Sequence, residues 1–160
     1  MEDSCMEGRK LRFLNIVDEF TRECFRVSVR RSFPAAQVIE ELRDVFAQHG
    51  CPKYLRSDNG PEFIARAIQA WLGERPVQTL YIDPGCPWQN GFIESFNASF
   101  RAECLDMEVF LDRTDAAEIA ERYRRYYNEE RPHGGLGYQS PLAFKPVSYT
   151  HLTLPTNREV

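Results

Sequence analysis

Apolar side chains recur along this chain with two different periods, and the changes between them mark out its elements. Leu11 to Val17 (LRFLNIV) and Glu23 to Arg31 (ECFRVSVRR) are short β-rich runs. Between them Asp18-Glu19-Phe20-Thr21-Arg22 has the length and polarity of a hairpin connection, so the pair predicts two antiparallel strands. After Pro34 the spacing lengthens to that of a helix. Val38, Leu42, Val45 and Phe46 form one apolar stripe, and Gly50 with Pro52 ends it. Lys53 to Ser57 reads as a strand running into Asp58-Asn59-Gly60-Pro61, whose proline suits the first turn of a helix. Ile64, Ile68, Trp71 and Leu72 give that helix its buried face, and Val77 to Ile82 returns as a strand, making a β-α-β unit with parallel pairing. Asp83 to Trp88 is a loop by its two prolines and glycine. Gln89 to Leu105 predicts a helix burying Ile93, Phe96 and Phe100, and a last helix over Thr114 to Asn128 buries Ile119, Tyr123 and Tyr126 or Tyr127.

The longest apolar runs fall far short of the ~20 residues that span a bilayer, and no charged-then-apolar leader opens the chain, so a cytoplasmic protein is expected. The 160 residues fit one domain, with 42% hydrophobic and 28% charged residues typical of a water-soluble fold. Five cysteines, scattered without a C-x-x-C pair, point to reduced thiols rather than disulfides or zinc. A net charge of -4 argues against a general nucleic-acid binder. Basic density is local, at Arg22, Arg26, Arg30 and Arg31 and again at Arg122, Arg124, Arg125 and Arg131, and such runs are usually solvated faces.

Two acids carry candidate chemistry. Asp58 falls at the end of a strand and Glu94 on a helix behind a flexible loop, an order that lets both face one cleft. Carboxylates are the hard oxygen ligands magnesium or manganese prefers, and a two-metal site, with ions about 3.5 to 4 Å apart, suits phosphodiester chemistry. Asn90, Glu94, Asn97 and Arg101 form a polar stripe on that helix. Taken alone, Asp-Asn-Gly is equally a good turn and Glu94 an exposed helix residue.

Four segments in order carry a resemblance: Asn15-Ile16-Val17-Asp18-Glu19-Phe20-Thr21-Arg22-Glu23-Cys24, Ser57-Asp58-Asn59-Gly60-Pro61-Glu62-Phe63, Gln89-Asn90-Gly91-Phe92-Ile93-Glu94-Ser95-Phe96-Asn97, and Tyr127-Asn128-Glu129-Glu130-Arg131-Pro132-His133. Through them residues 9 to 146 resemble the integrase-like catalytic core of DDE-type insertion-sequence transposases, and thirty-five residues separate Asp58 from Glu94, the family's D,D-35-E spacing. The resemblance implies an α/β, ribonuclease H-like fold, a mixed five-stranded sheet flanked by helices. It implies metal-dependent cleavage and strand transfer on DNA, with Asp58 and Glu94 as catalytic residues and ligands of Mg2+ or Mn2+ in a two-metal site. DNA contacts are implied at Trp88, Gln89 and Asn90, with an N-terminal cap as the rival role for Asn90, and at Asn97 and Arg101, with a solvated helix face as theirs. The implied partners are transposon ends, target DNA and further copies of the chain, with no membrane, in a bacterial, nucleoid-associated setting.

The family's first strand, with its first catalytic aspartate, finds no match. Counting back from Leu11 runs off the chain, Asp3 lies where no strand pattern shows, and Asp18 follows the second strand at a position of structural use. Residues 1–10 are therefore expected to be a truncated remnant before a core over residues 11–146, and the chain as written to be inactive, because clustered divalent ions need several carboxylates to offset their charge. Residues 147–160 have no family counterpart; Val147 to Thr156 reads like translated sequencing adapter and is expected to be an artefactual tail. Asn59, Gly60 and Glu62 are expected to shape the turn presenting Asp58, and His133 to be structural rather than a ligand. Rival functions are a non-catalytic DNA-binding or dimerising transposase remnant and a ribonuclease H-like nuclease acting on another substrate.

Overall fold

Alternation along the central strand decides which helices cover which face. In the computed structural model, which describes residues 1–58, 60–61 and 65–145, β1 (Glu2–Ser4), β2 (Lys10–Val17) and β3 (Cys24–Arg30) form an antiparallel sheet in that order. Leu11, Phe13 and Val17 of β2 join one core cluster and Leu14 and Ile16 border the other, as a period of two requires. The second face is covered by α1 (Ala35–His49), whose Val38, Leu42 and Val45 form the stripe expected from sequence, and by α2 (Arg66–Gly73) through Ile68 and Leu72. Gly50, at a φ of 87° that disfavours any side chain, ends α1. β4 (Tyr54–Ser57) and β5 (Gln78–Tyr81) pair in parallel across α2. Ile64 and the rest of the start of the second predicted helix lie outside the described residues.

The first face is covered by α3 (Gly91–Glu103) and α4 (Arg113–Glu129). Phe96 and Phe100 of α3 are fully buried, Phe100 meeting Phe13 edge-on at 5.5 Å and Phe96 meeting Tyr127 at 4.8 Å. Ile93 and Ile119 are partly buried, Tyr123 and Tyr127 buried, and Tyr126 exposed, which resolves the open choice between the two tyrosines. Asp112 caps α4 by accepting from Asp115 N. The chain described here closes with α5 (Pro141–Phe144). At the outer edge of β3 the Asn128 side chain imitates a strand, donating to Cys24 O at 2.9 Å and accepting from Cys24 N at 2.8 Å.

The mixed α/β class expected from sequence is the class found, but the first strand needs correcting. It is present as the three residues of β1, with Glu2 opposite Arg12 and Ser4 opposite Lys10. Glu-Asp-Ser shows no apolar alternation, so its strand character comes from distant partners rather than local pattern: Arg101 of α3 donates to Glu2 O at 2.7 Å and meets Asp3 at 3.3 Å. The expected single sheet is also divided. Met1 exchanges two hydrogen bonds with Phe13, the last such β1–β2 pair, and the described strands form a three-stranded and a two-stranded sheet.

Among the described residues, five of the eight arginines in the basic runs have acidic partners. Arg26 and Arg30 face Glu41 of α1, Arg124 and Arg125 pair with Glu121, and Arg131 forks onto Glu103 with contacts of 2.7 and 2.8 Å. All five cysteines are free thiols. Among the described residues no helix is long and apolar enough to cross a membrane.

Candidate active-site groove

Between the two sheets lies a groove of about 830 Å³. One wall is β2 and α1; β4 forms another, ending in Asp58; α3 and the turn before it form a third, with Asn90, Phe92, Ile93 and Asn97. Strand β4 delivers Asp58 because Leu55 is anchored in the core while the polar turn that follows leaves the sheet. The Asp58 carboxylate accepts from Gly60 N at 2.9 Å, a local turn bond that aims the side chain. Asn59 and Glu62, expected to shape the same turn, lie outside the described residues.

Glu94 stands exposed in the first turn of α3, next to groove-lining Ile93. Phe96 and Phe100 fix the rotation of this helix by burying its opposite side, so the stripe of Asn90, Glu94, Asn97 and Arg101 is turned away from the aromatic core. Among the described residues neither Asp58 nor Glu94 forms an ion pair, whereas Glu19, Glu23, Glu41, Glu103 and Glu121 each have a basic partner. The Met1 amine is the cation Asp58 influences; burial pushes its pKa down, and the carboxylates of Glu2 and Asp58 push it back. No group of three or more candidate metal ligands occurs among the described residues.

The remaining expected site residues divide. Asn90 occupies the cap position of α3 without any side-chain cap bond, so the capping role is not realised and the side chain lines the groove. Gln89 braces the preceding loop, accepting from Asp83 N at 2.9 Å and donating to the Asp83 carboxylate at 3.0 Å. Trp88 projects from that loop at 73% exposure. Asn97 accepts a 2.7 Å bond from Asn15, and Arg101 holds β1, so both tie α3 to the sheet. Gln89, Trp88, Glu94 and Arg101 do not line the groove itself. Asp18 is fully buried and accepts from Thr21 and from Phe20 N, organising the hairpin turn. His133 packs edge-on against Tyr127 at 4.5 Å, and burial lowers its pKa, the environment of a structural histidine.

Sequence reasoning did not single out Asn15 or Phe92. Asn15 was legible as a polar residue on the strand face that otherwise carries Leu11, Phe13 and Val17, and Phe92 as an aromatic interrupting the exposed side of α3.

The architecture is that of retroviral integrase catalytic cores, a ribonuclease H-like fold. The magnesium-bound catalytic core of HTLV-2 integrase superposes with a TM-score of 0.69 at 15% identity, each chain 90% covered. A chain from the structure of the simian T-cell lymphotropic virus intasome in complex with PP2A regulatory subunit B56 gamma superposes at 0.76 and 16% identity, over 98% of this chain and 54% of that one. Integrase core domain models match residues 1–87 and 75–141, and the chain belongs to that family. An uncharacterised protein of insertion element IS476 from Xanthomonas euvesicatoria is 38% identical over 89% of this chain and 41% of its own length. One from IS407 of Burkholderia multivorans is 37% identical over 89% and 51%, and the transposase for IS904 of Lactococcus lactis 26% identical over 80% and 45%. The chain thus spans about half the length of these relatives.

Proposed function

We propose that this chain is part of the catalytic core of an insertion-sequence transposase, acting on DNA by metal-dependent phosphoryl transfer: hydrolytic nicking at element ends, then attack of the freed 3′ hydroxyl on a target strand. The observation that carries the reading is the pair of exposed carboxylates without ion-pair partners among the described residues, Asp58 closing β4 and Glu94 opening α3, beside one groove. Exposed acids left without a basic partner, at the end of a strand and the start of a helix beside one groove, fit the hard oxygen donors that Mg2+ or Mn2+ requires. A bound divalent ion would supply Lewis acidity and an activated water or hydroxyl. Asp58 and Glu94 would hold it; the turn at Gly60 orients Asp58, and the Asn97 and Arg101 contacts set the height of Glu94 against the sheet. Trp88 and Asn90 would position the DNA strand, and Gln89 would hold their loop in shape. Two carboxylates offset little of the charge of two ions, so this chain is expected to hold one ion weakly and to turn over poorly. The reading places the chain with DNA in the bacterial cytoplasm, at the nucleoid, in an assembly of several copies.

Titration with Mn2+ tests it. Saturable binding is expected in the millimolar range, with Asp58→Asn and Glu94→Gln each weakening it by on the order of tenfold or more. Binding indifferent to both substitutions would remove the assignment.

A further inference from the structure

Arg22 occupies the last position of the β2–β3 turn, with its N–H donating to Asp18 O at 2.8 Å and a φ of 63°. A left-handed residue closing such a turn is ordinarily glycine, because a Cβ is disfavoured there. The arginine that replaces it does not enter the core. Its guanidinium crosses to α3 and lies 3.7 Å from the centroid of the Phe92 ring, two residues before Glu94 and on the rim of the groove that Asp58 lines. Among the described residues it makes no hydrogen bond or ion pair, and Glu19, the carboxylate that most supports its charge, is bonded to Arg56 at 3.0 Å. Arg26, Arg30, Arg56, Arg101, Arg124 and Arg131 all have carboxylate partners. Arg22 is thus a cation fixed in plane by an aromatic ring, at the edge of the site, with its donor edge uncommitted.

We infer that Arg22 is a DNA-contacting residue that grips a backbone phosphate next to the first turn of α3. A planar guanidinium stacked on a ring presents its N–H groups edgewise, the geometry in which it takes a phosphate through two parallel hydrogen bonds. The inference rests on the reading of the groove as a DNA site and adds to it a phosphate anchor from the hairpin. It also shows how a chain of net charge -4 can meet a polyanion: one uncompensated cation at the rim rather than a basic face.

The test is a fluorescence-anisotropy titration of the chain with a short labelled duplex over a series of salt concentrations, for the wild type, Arg22→Gly, Arg22→Lys and Phe92→Leu. Glycine suits the left-handed position, so Arg22→Gly keeps the turn, and thermal melting verifies that it does. Loss of one phosphate contact flattens the log–log salt slope by about 0.9 and weakens binding at low salt on the order of tenfold. Arg22→Lys is expected to keep the slope with lower affinity, and Phe92→Leu to keep the charge but lose part of the affinity. A wild-type salt slope retained by Arg22→Gly, with only its melting temperature changed, would show Arg22 to be a staple between hairpin and helix and overturn the inference alone. Absence of salt-dependent binding by the wild type would overturn both this inference and the DNA reading of the groove.

Discussion

Asn97 on α3 accepts a 2.7 Å hydrogen bond from the Asn15 side chain on β2, one helical turn beyond Glu94. The bond joins the helix that carries one candidate ligand to the central strand of the sheet, at the one polar position on that face of β2. Asn97→Ala should therefore lower unfolding stability by about 1 to 2 kcal/mol, since the Asn15 amide is left half-buried with one partner fewer. It should also weaken Mn2+ binding although Asn97 is not a ligand. Urea unfolding and Mn2+ titration of the same variant measure the two effects, and unchanged stability would show the bond to be incidental.

The Asn128 amide closes the edge of β3 across 104 residues of sequence by bonding both backbone groups of Cys24. Asn128 is 3% exposed and Cys24 fully buried, so no water replaces the lost partner. Asn128→Ala should cost about 1 to 3 kcal/mol, because buried Cys24 N loses its acceptor while Cys24 O keeps the Arg124 guanidinium at 3.2 Å. Asn128→Asp should also destabilise, because a carboxylate accepts from Cys24 N but cannot donate to Cys24 O. A urea midpoint equal to wild type in either variant would contradict this.

Phe100 is fully buried, stacked on Phe96 and packed edge-on against Phe13 and at a tilt against Tyr123. Phe100→Ala should destabilise by about 3 to 5 kcal/mol, enough to unfold many domains of this size, and Phe100→Leu by much less. Circular dichroism melts of the pair separate cavity formation from a general intolerance of substitution.

Acid stability should depend on Glu103. The Arg131 fork, with Tyr123 also donating, holds its carboxyl below the ordinary value of 4.5. A carboxyl depressed on folding stabilises the protein above its unfolded pKa, and that contribution is lost as pH falls through the folded value. Melting temperature should drop as pH is lowered from about 4.5 in the wild type and more gently in Glu103→Gln, which starts from lower stability at neutral pH. Parallel curves would assign the acid transition to other carboxylates.

Much of this was legible in the sequence wherever periodicity and burial coincide. β2, β3 and α1 announce themselves because Phe13, Val27, Val38 and Leu42 recur at the spacing of the face they bury. The parallel β4–β5 pairing followed from the β-α-β order, as did the placement of Asp58 after a strand and of Glu94 on a helix. What could not be read depends on residues remote in sequence. Glu2, Asp3 and Ser4 become a strand because β2 offers an edge and Arg101 reaches back 98 residues to Asp3. Asn97 and Arg101 looked like an exposed polar stripe, since a helix period shows which residues share a side but not what that side meets. Arg22 appeared as one of a basic run until the left-handed turn separated it from Arg26 and Arg30, which pair with α1.

The central claim is that Asp58 and Glu94 share one divalent ion, and localised backbone scission tests it most directly. Fe2+ substituted for the native ion, with ascorbate and peroxide, generates radicals that cut only the nearby chain. The account predicts two cuts in the same molecule, close to residues 58 and 94, both suppressed by excess Mg2+ and both lost in Asp58→Asn. Cleavage at one of these positions alone, or at neither, would contradict it.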